Sequence, residues 1–261
     1  MIKSVQILYH YTDINALTYI LDRDSVKLRA TNCLFLNDGR EIQEGIDLLK
    51  ETVNKQFSRY SFRDYFLTSF SGNKDNLSMW NMYAANGKGC AIGFKAEYLL
   101  LNNNSLYDFW VPCVYNRNDA KELLASKLYP INQFQVKVRF PPSRSNDSSN
   151  IAITTEEKEM LKENVYIETC LSCKNDAFHE ENEYRCVIQN KDPKDICFRE
   201  KNGIVVPYVE VKIPKEAIAE IIIGPTNKSE LTSYSVLNML KTKEYDWENI
   251  NIFTSMIPYR G

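Results

Sequence analysis

Val5–Asp22, VQILYHYTDINALTYILD, is the stretch from which the fold is read. Its first half, VQILYHYT, is rich in β-branched, aliphatic and aromatic residues and reads as a short strand that ends at His10. Asp13 has the side chain to cap a helix over roughly Ile14–Asp22, with Ile14, Leu17, Ile20 and Leu21 on one face. A histidine therefore stands where a strand gives way to a helix.

Working outward, VKLRA (26–30) alternates like a second strand and carries Arg29. Asn37-Asp38-Gly39 is a turn signal. Glu41 to about Phe57 is helical, with Ile42, Gly45, Ile46, Leu49 and Val53 at helical spacing. YFLTSFS (65–71) is a strand, and 75–85 is a short helix capped by Asp75 or Asn76. Gly87-Lys88-Gly89 turns the chain into the strand CAIGF. Residues 110–115 suit a strand, 118–129 and 156–172 suit helices, and the polar stretch 141–150 reads as the most mobile loop. ENEYRCVI, VVPYVEVKI and EIIIGP are three more strands, 228–242 is a last helix, and IFTSMIPYRG is a closing strand. Strands outnumber long helices without regular alternation, so the fold class is α+β. The organisation expected is one domain over 1–261 with a loop-rich insertion around 117–165.

Composition narrows the function. With 32 Lys+Arg against 34 Asp+Glu, mixed along the chain, no basic block marks a nucleic-acid footprint. That leaves open a nucleic-acid acceptor held only briefly. Glycine is scarce, at 9 residues, and neither G-x-G-x-x-G nor G-x-x-x-x-G-K occurs, which argues against Rossmann and P-loop nucleotide binding. No apolar run reaches membrane-spanning length and no signal-peptide pattern opens the chain, so no membrane partner is expected. Seven cysteines, an odd number without framework spacing, suit reduced thiols in the cytoplasm.

Three settings carry chemistry: His10 in LYHYT, Tyr83 in MWNMYA and Glu183 in ENEYR. LYHYT resembles the LxHGT strand of the His-Tyr-Glu branch of ADP-ribosyltransferases, the group that includes poly-ADP-ribose polymerases and diphtheria-like toxins. The strand-plus-helix around Tyr83 and the NEY tripeptide resemble that branch as well. The whole pattern is similar to a bacterial domain family of unknown function. Its hallmarks here are LYHYT, FLNDGRE, FLTSFS with MWNMYA and GKGCAIGF, ENEYR, IIIGP and SMIPYR.

The resemblance implies an ADP-ribosyltransferase-like fold: two small packed β-sheets with a central cleft and flanking helices. It implies NAD as substrate. His10 would bond a ribose hydroxyl, with Tyr11 and Thr12 beside it in the motif. Tyr83 would stack on the nicotinamide, and Glu183 would support the developing ribosyl cation. Glu181, two residues before Glu183 on the expected strand, resembles the first glutamate of a Glu-x-Glu element that handles the acceptor. Arg185 continues that face, where it can pair with Glu183 or reach a phosphate, and Arg29 is a further phosphate contact.

The physics agrees with these roles. Breaking the N-glycosidic bond builds an oxocarbenium-like sugar. A carboxylate placed beside it gains attraction as the charge develops, which lowers the barrier. An aromatic face holds the cationic ring in the ground state, worth about 0.5–2 kcal/mol. Glu183 should thus govern rate, and His10 and Tyr83 binding.

The function expected is transfer of ADP-ribose from NAD to a protein or nucleic-acid acceptor. One alternative is an NAD glycohydrolase acting in abortive infection, a form of phage defence. Another is a non-catalytic nucleotide-binding or interaction module. Cys170-x-x-Cys173 with His179 and Cys186 lacks the second pair of a zinc site, so no metal is expected. Ser69 and Ser71 read as strand residues near the pocket. A Cys-His-Asp hydrolase is conceivable from composition, but no cysteine has a nucleophile-like setting.

Overall fold

The protein is described by a computed structural model over residues 7–36, 40–100, 106–133, 135–136, 152–190 and 192–258. The described residues form two compact units. The first draws on Met1–Gly39, Tyr60–Cys113 and Ala177–Gly261, and the second on Arg40–Arg59 and Val114–Asp176. The insertion expected around 117–165 falls inside the second unit.

The first unit begins with β1 (Ile7–Thr12), α1 (Ile14–Ile20) and β2 (Val26–Asn32). Asp13 caps α1 by accepting from the Ala16 N–H at 2.6 Å. The second unit holds α2 (Glu41–Val53). This helix stops short of Phe57 because Asn54 adopts the left-handed conformation, φ 52°. The first unit resumes with β3 (Tyr65–Ser71), α3 (Leu77–Tyr83), β4 (Cys90–Lys95), α4 (Ala96–Leu100) and β5 (Phe109–Pro112). Of the two candidate caps of α3, Asn76 is the one used, accepting from the Met79 N–H.

The second unit continues with α5 (Arg117–Gln133), β6 (Gln135–Val136), β7 (Ala152–Ile153) and α6 (Thr155–Ser172). A reciprocal capping box of Thr154 and Glu157 opens α6. Gly45 of α2 lies so close to α6 that a Cβ there would sit 2.4 Å from the Cys170 Cα. Glycine is what permits this approach. The first unit closes with β8 (Glu183–Gln189), β9 (Ile196–Lys201), β10 (Ile204–Ile213), β11 (Ile218–Ile223), α7 (Ser229–Thr242) and β12 (Asn251–Thr254).

Strand β9 is absent from the sequence expectation. It turns into β10 through Asn202-Gly203, both at positive φ, the residue pair that a two-residue hairpin favours. The turn Asn37-Asp38-Gly39, the loop 141–150 and residues 259–261 of the tail lie outside the described residues.

Ten strands of the first unit make one mixed sheet, in the order β12-β11-β4-β1-β3-β2-β10-β9, with β8 branching from β3 and β5 pairing with β8. The resemblance implies two small packed sheets; the ten strands of the first unit hydrogen-bond as one branched sheet, and β6 and β7 pair separately in the second unit. The branch has a simple cause. Along one edge β3 pairs fully with β8, Tyr65 opposite Gln189 through Ser71 opposite Glu183. Its other edge is shared between two strands. Ser71 pairs with Tyr9 of β1, whereas Leu67 and Phe66 pair with Thr31 and Asn32 of β2. Between these anchor points β1 and β2 part, and a cavity opens at the fork.

Strand alternation sorts the core. Leu8, Phe70, Ile92, Phe94 and Cys186 face one way and pack with Leu17 and Ile20 of α1 and Val236 and Leu240 of α7. Tyr9, Tyr11, Ala91 and Ile222 face the other way, against Met79 and Trp80 of α3.

Candidate functional site

His10 stands at the fork. With no strand partner there on the β3 edge, the Ser69 carbonyl instead accepts a hydrogen bond from His10 Nδ1 at 3.1 Å. A proton on Nδ1 leaves Nε2 of the neutral ring as an acceptor. Burial holds the imidazole pKa below its ordinary value. The Ser69 carbonyl works against that shift, and the Arg199 guanidinium adds to it.

A cavity of about 430 Å³ surrounds this ring, in the size range of small-molecule sites. Thr12, Ser69 and Thr68 line it beside His10, and Ala16 and Tyr19 of α1 close one side. Lys27, Arg29 and Thr31 of β2, Arg199 and Lys201 of β9, and Glu210 of β10 line the other.

The two arginines flank one phenol ring. Arg29 Cζ lies 5.1 Å and Arg199 Cζ 6.0 Å from the centre of the Tyr208 ring. Arg199 Nη2 donates to Thr31 Oγ1 at 2.9 Å, while its Nε is buried with no hydrogen-bond partner among the described residues. Burial lowers the Arg199 pKa, and the neighbouring Arg29 charge lowers it further. Lys201 is lowered by burial and then by Arg199. Among the described residues neither guanidinium has a carboxylate within ion-pair distance. Glu210 is nevertheless the cross-strand neighbour of Arg29, and Asp22 is tied to Lys27 at 3.2 Å.

The acidic residues of the ENEYR motif do not line this cavity. Glu183 is 6% exposed and Arg185 1%. Arg185 grips both carboxylate oxygens, Nε to Oε1 at 3.1 Å and Nη2 to Oε2 at 3.0 Å. The Cys113 thiol donates to Oε2 at 3.3 Å. Tyr83 OH donates to Glu181 Oε1 at 2.8 Å. Of the two roles open to Arg185, this geometry takes the pair with Glu183.

Glu181 and Glu183 do not share a strand. Glu181 ends a 3-10 turn over Asp176–Glu181, and Asn182 at φ 42° breaks the chain direction before β8 starts. Tyr11 also departs from its expected place. Strand alternation turns it away from His10, its OH donates to the Asn73 carbonyl, and its ring packs edge-on to Trp80 at 4.8 Å. Of the expected contacts, then, His10, Thr12 and Arg29 share one cavity, and outside it Tyr83 pairs with Glu181 and Arg185 with Glu183. Arg199, Lys201 and Tyr208 were not foreseen. Their signal was the alternation Cys197, Arg199, Lys201, which puts both cations on one face of a strand running into Asn-Gly.

Among the described residues no group of three or more potential metal ligands forms, and no helix is long and apolar enough to cross a membrane. Residues 79–186 match the profile of a family described as a protein of unknown function, DUF2971. That stretch contains Tyr83, Glu181, Glu183 and Arg185, and the cavity residues His10, Arg29 and Arg199 lie outside it. No curated protein and no solved structure matches the chain.

Proposed function

We propose that this chain binds NAD through the His10 cavity and transfers its ADP-ribose to an acceptor. One observation carries the reading. A neutral histidine at a strand end shares a cavity with two arginines that form no ion pair among the described residues, one of them with a buried N–H that no described residue accepts. That set suits a ligand offering hydroxyls to an imidazole acceptor and oxyanions to guanidinium forks. The ribose and diphosphate of NAD offer both. In the transfer, nicotinamide leaves with the C–N bonding pair. The ribose C1′ bonds to the acceptor nucleophile, whose proton passes to solvent. With water as the acceptor the same step is glycohydrolysis.

Glu183 is the residue on which turnover depends in this reading. Its cross-strand partner on β3 is Ser71, and Arg185 lies opposite Ser69, a cavity residue. To meet the ribose its carboxylate must leave Arg185. That ion pair favours a second reading, a nucleotide-binding module without turnover.

The test is incubation of the purified chain with NAD, following nicotinamide by chromatography and melting temperature by calorimetry. Transfer predicts nicotinamide release that falls at least a hundredfold in Glu183→Gln, at a temperature where that variant is folded. A raised melting temperature without nicotinamide supports the binding module. Neither signal sinks both readings.

A further inference from the structure

We propose that the outer edge of β9 pairs with itself: a second copy of this chain docks there, antiparallel, and extends the sheet. Among the described residues β9 ends the strand order and pairs only with β10. Asn202 at φ 52° and Gly203 at φ 79° make a two-residue hairpin turn, which hydrogen-bonds Lys201 to Ile204. Antiparallel pairs alternate, so Arg199 and Cys197 also turn their backbone groups to β10. Phe198 and Glu200 therefore point N–H and C=O outward. So does the C=O of Ile196, whose N–H donates to the Pro193 carbonyl.

Edge strands are normally guarded by charge. On β9 the charges are drawn back. Arg199 reaches across Tyr208 to Thr31 Oγ1, and Glu200 Oε1 accepts from the Gly203 N–H at 2.7 Å. Uncharged Cys197 and Phe198 are left in mid-strand, both exposed, Phe198 at 65%. Pro207 lies opposite Phe198, and the exposed Val205 shares that face. At the other end of the sheet a charge stays in place: Lys74 Nζ stands 4.3 Å from the ring centre of Phe253 on β12.

The sequence of β9 selects a second copy as the occupant. Two copies related by a two-fold axis pair in registers centred on one residue. Centred on Phe198, the outward groups match. Phe198 bonds its counterpart in both directions, and the Glu200 N–H meets the Ile196 C=O. Side chains agree as well. Phe198 meets Phe198, Cys197 faces Arg199, and Asp195 faces Lys201, so no like charges oppose each other. Centring on Arg199 sets guanidinium against guanidinium. Centring on Cys197 leaves only Ile196–Phe198 in the ladder, because Pro193–Asp195 is a 3-10 turn.

Sedimentation equilibrium of the full chain tests this. At about 0.1 mM, where a micromolar dimer is saturated, the mass of two chains is expected. Phe198→Lys puts like charges at the two-fold axis and should weaken the dimer at least tenfold. Its side chain is exposed, so the dilute variant should melt with dilute wild type. Cα atoms of a hydrogen-bonded antiparallel pair lie about 5.5 Å apart, within disulfide reach. Phe198→Cys in a Cys197→Ser background should therefore cross-link two chains on mild oxidation, and Cys197→Ser alone should not. A mass of one chain at that concentration overturns the proposal. So does a dimer that Phe198→Lys leaves intact, or a dimeric Phe198→Cys variant that fails to cross-link. These readouts involve no NAD and stand apart from the nucleotide reading.

Discussion

Glu183→Gln should destabilise this protein severely even though it removes no atoms of packing. The carboxylate is 6% exposed, its partner Arg185 is 1% exposed, and two bonds of 3.1 and 3.0 Å join them. An amide of the same shape accepts at one atom and turns N–H groups towards a guanidinium that can only donate. Arg185 stays charged and out of water. Breaking a buried pair from one side costs about 3–5 kcal/mol. At roughly 2–4 °C per kcal/mol for a chain near this size, the melting temperature should fall by about 6–20 °C. Replacing both partners by apolar residues, Glu183→Leu with Arg185→Met, should recover most of that loss, because no charge is then stranded. Calorimetry on wild type, both single variants and the double completes the cycle. If Glu183→Gln melts within about 2 °C of wild type, the carboxylate is solvated, the buried pair is wrong, and Glu183 is free to reach a ligand without a structural change.

Four further perturbations probe other parts of the molecule. His10 is held neutral with its pKa below 6.5, so below about pH 6.5 the unfolded chain takes up a proton that the folded chain refuses. Stability should then fall from that pH down to the folded pKa and level off beneath it. Asp22, Lys27, Arg29, Arg199, Lys201 and Glu210 face the same cavity. Calorimetry between pH 7.5 and 5 should show a shallower slope for His10→Gln, and identical slopes would refute the assignment. Tyr83→Phe removes the donor to Glu181 but keeps the ring, and denaturant titration should find a loss of about 1.5–3 kcal/mol. Gly45→Ala puts a Cβ 2.4 Å from the Cys170 Cα, so α2 and α6 must shift, and urea unfolding should show a loss of about 1–3 kcal/mol. Thr154→Ala opens the capping box of α6 and should lower stability by about 0.5–2 kcal/mol by the same assay.

Local signals made the elements legible, and pairing made the site less so. Asp13, Asn76 and the Thr154–Glu157 box mark helix starts by side chains that bond the next turn, and such signals lie within a few residues. The strands around His10 and Glu183 follow from apolar patterning. What one sequence does not contain is the shared edge of β3, which depends on which distant strands choose it. Without that edge the cavity has no address. Tyr11 was misplaced by following a motif where strand alternation already turned it away from His10. Arg199 and Lys201 went unread because β9 is short and half polar, although the Asn202-Gly203 turn announced a hairpin.

Strand β3 runs between the cavity and the Glu183–Arg185 pair, and this constrains any catalytic role. Ser69 offers its carbonyl to His10 on one edge and faces Arg185 across the other, and Ser71 likewise stands between Tyr9 and Glu183. A ligand in the cavity can bring Glu183 into play only through a difference in free energy between the paired and released states. The buried pair sets that difference at about 3–5 kcal/mol. At 1.4 kcal/mol per tenfold, the middle of that range withholds roughly a thousandfold of apparent affinity from any ligand that must break the pair. A ligand that fills the cavity and leaves Glu183 with Arg185 bears no such penalty. Pyrophosphate, which offers only the oxyanions of NAD, should accordingly bind wild type and the Glu183→Leu/Arg185→Met variant alike. NAD, if cleaved, should bind wild type more weakly than its contacts in the cavity alone would allow.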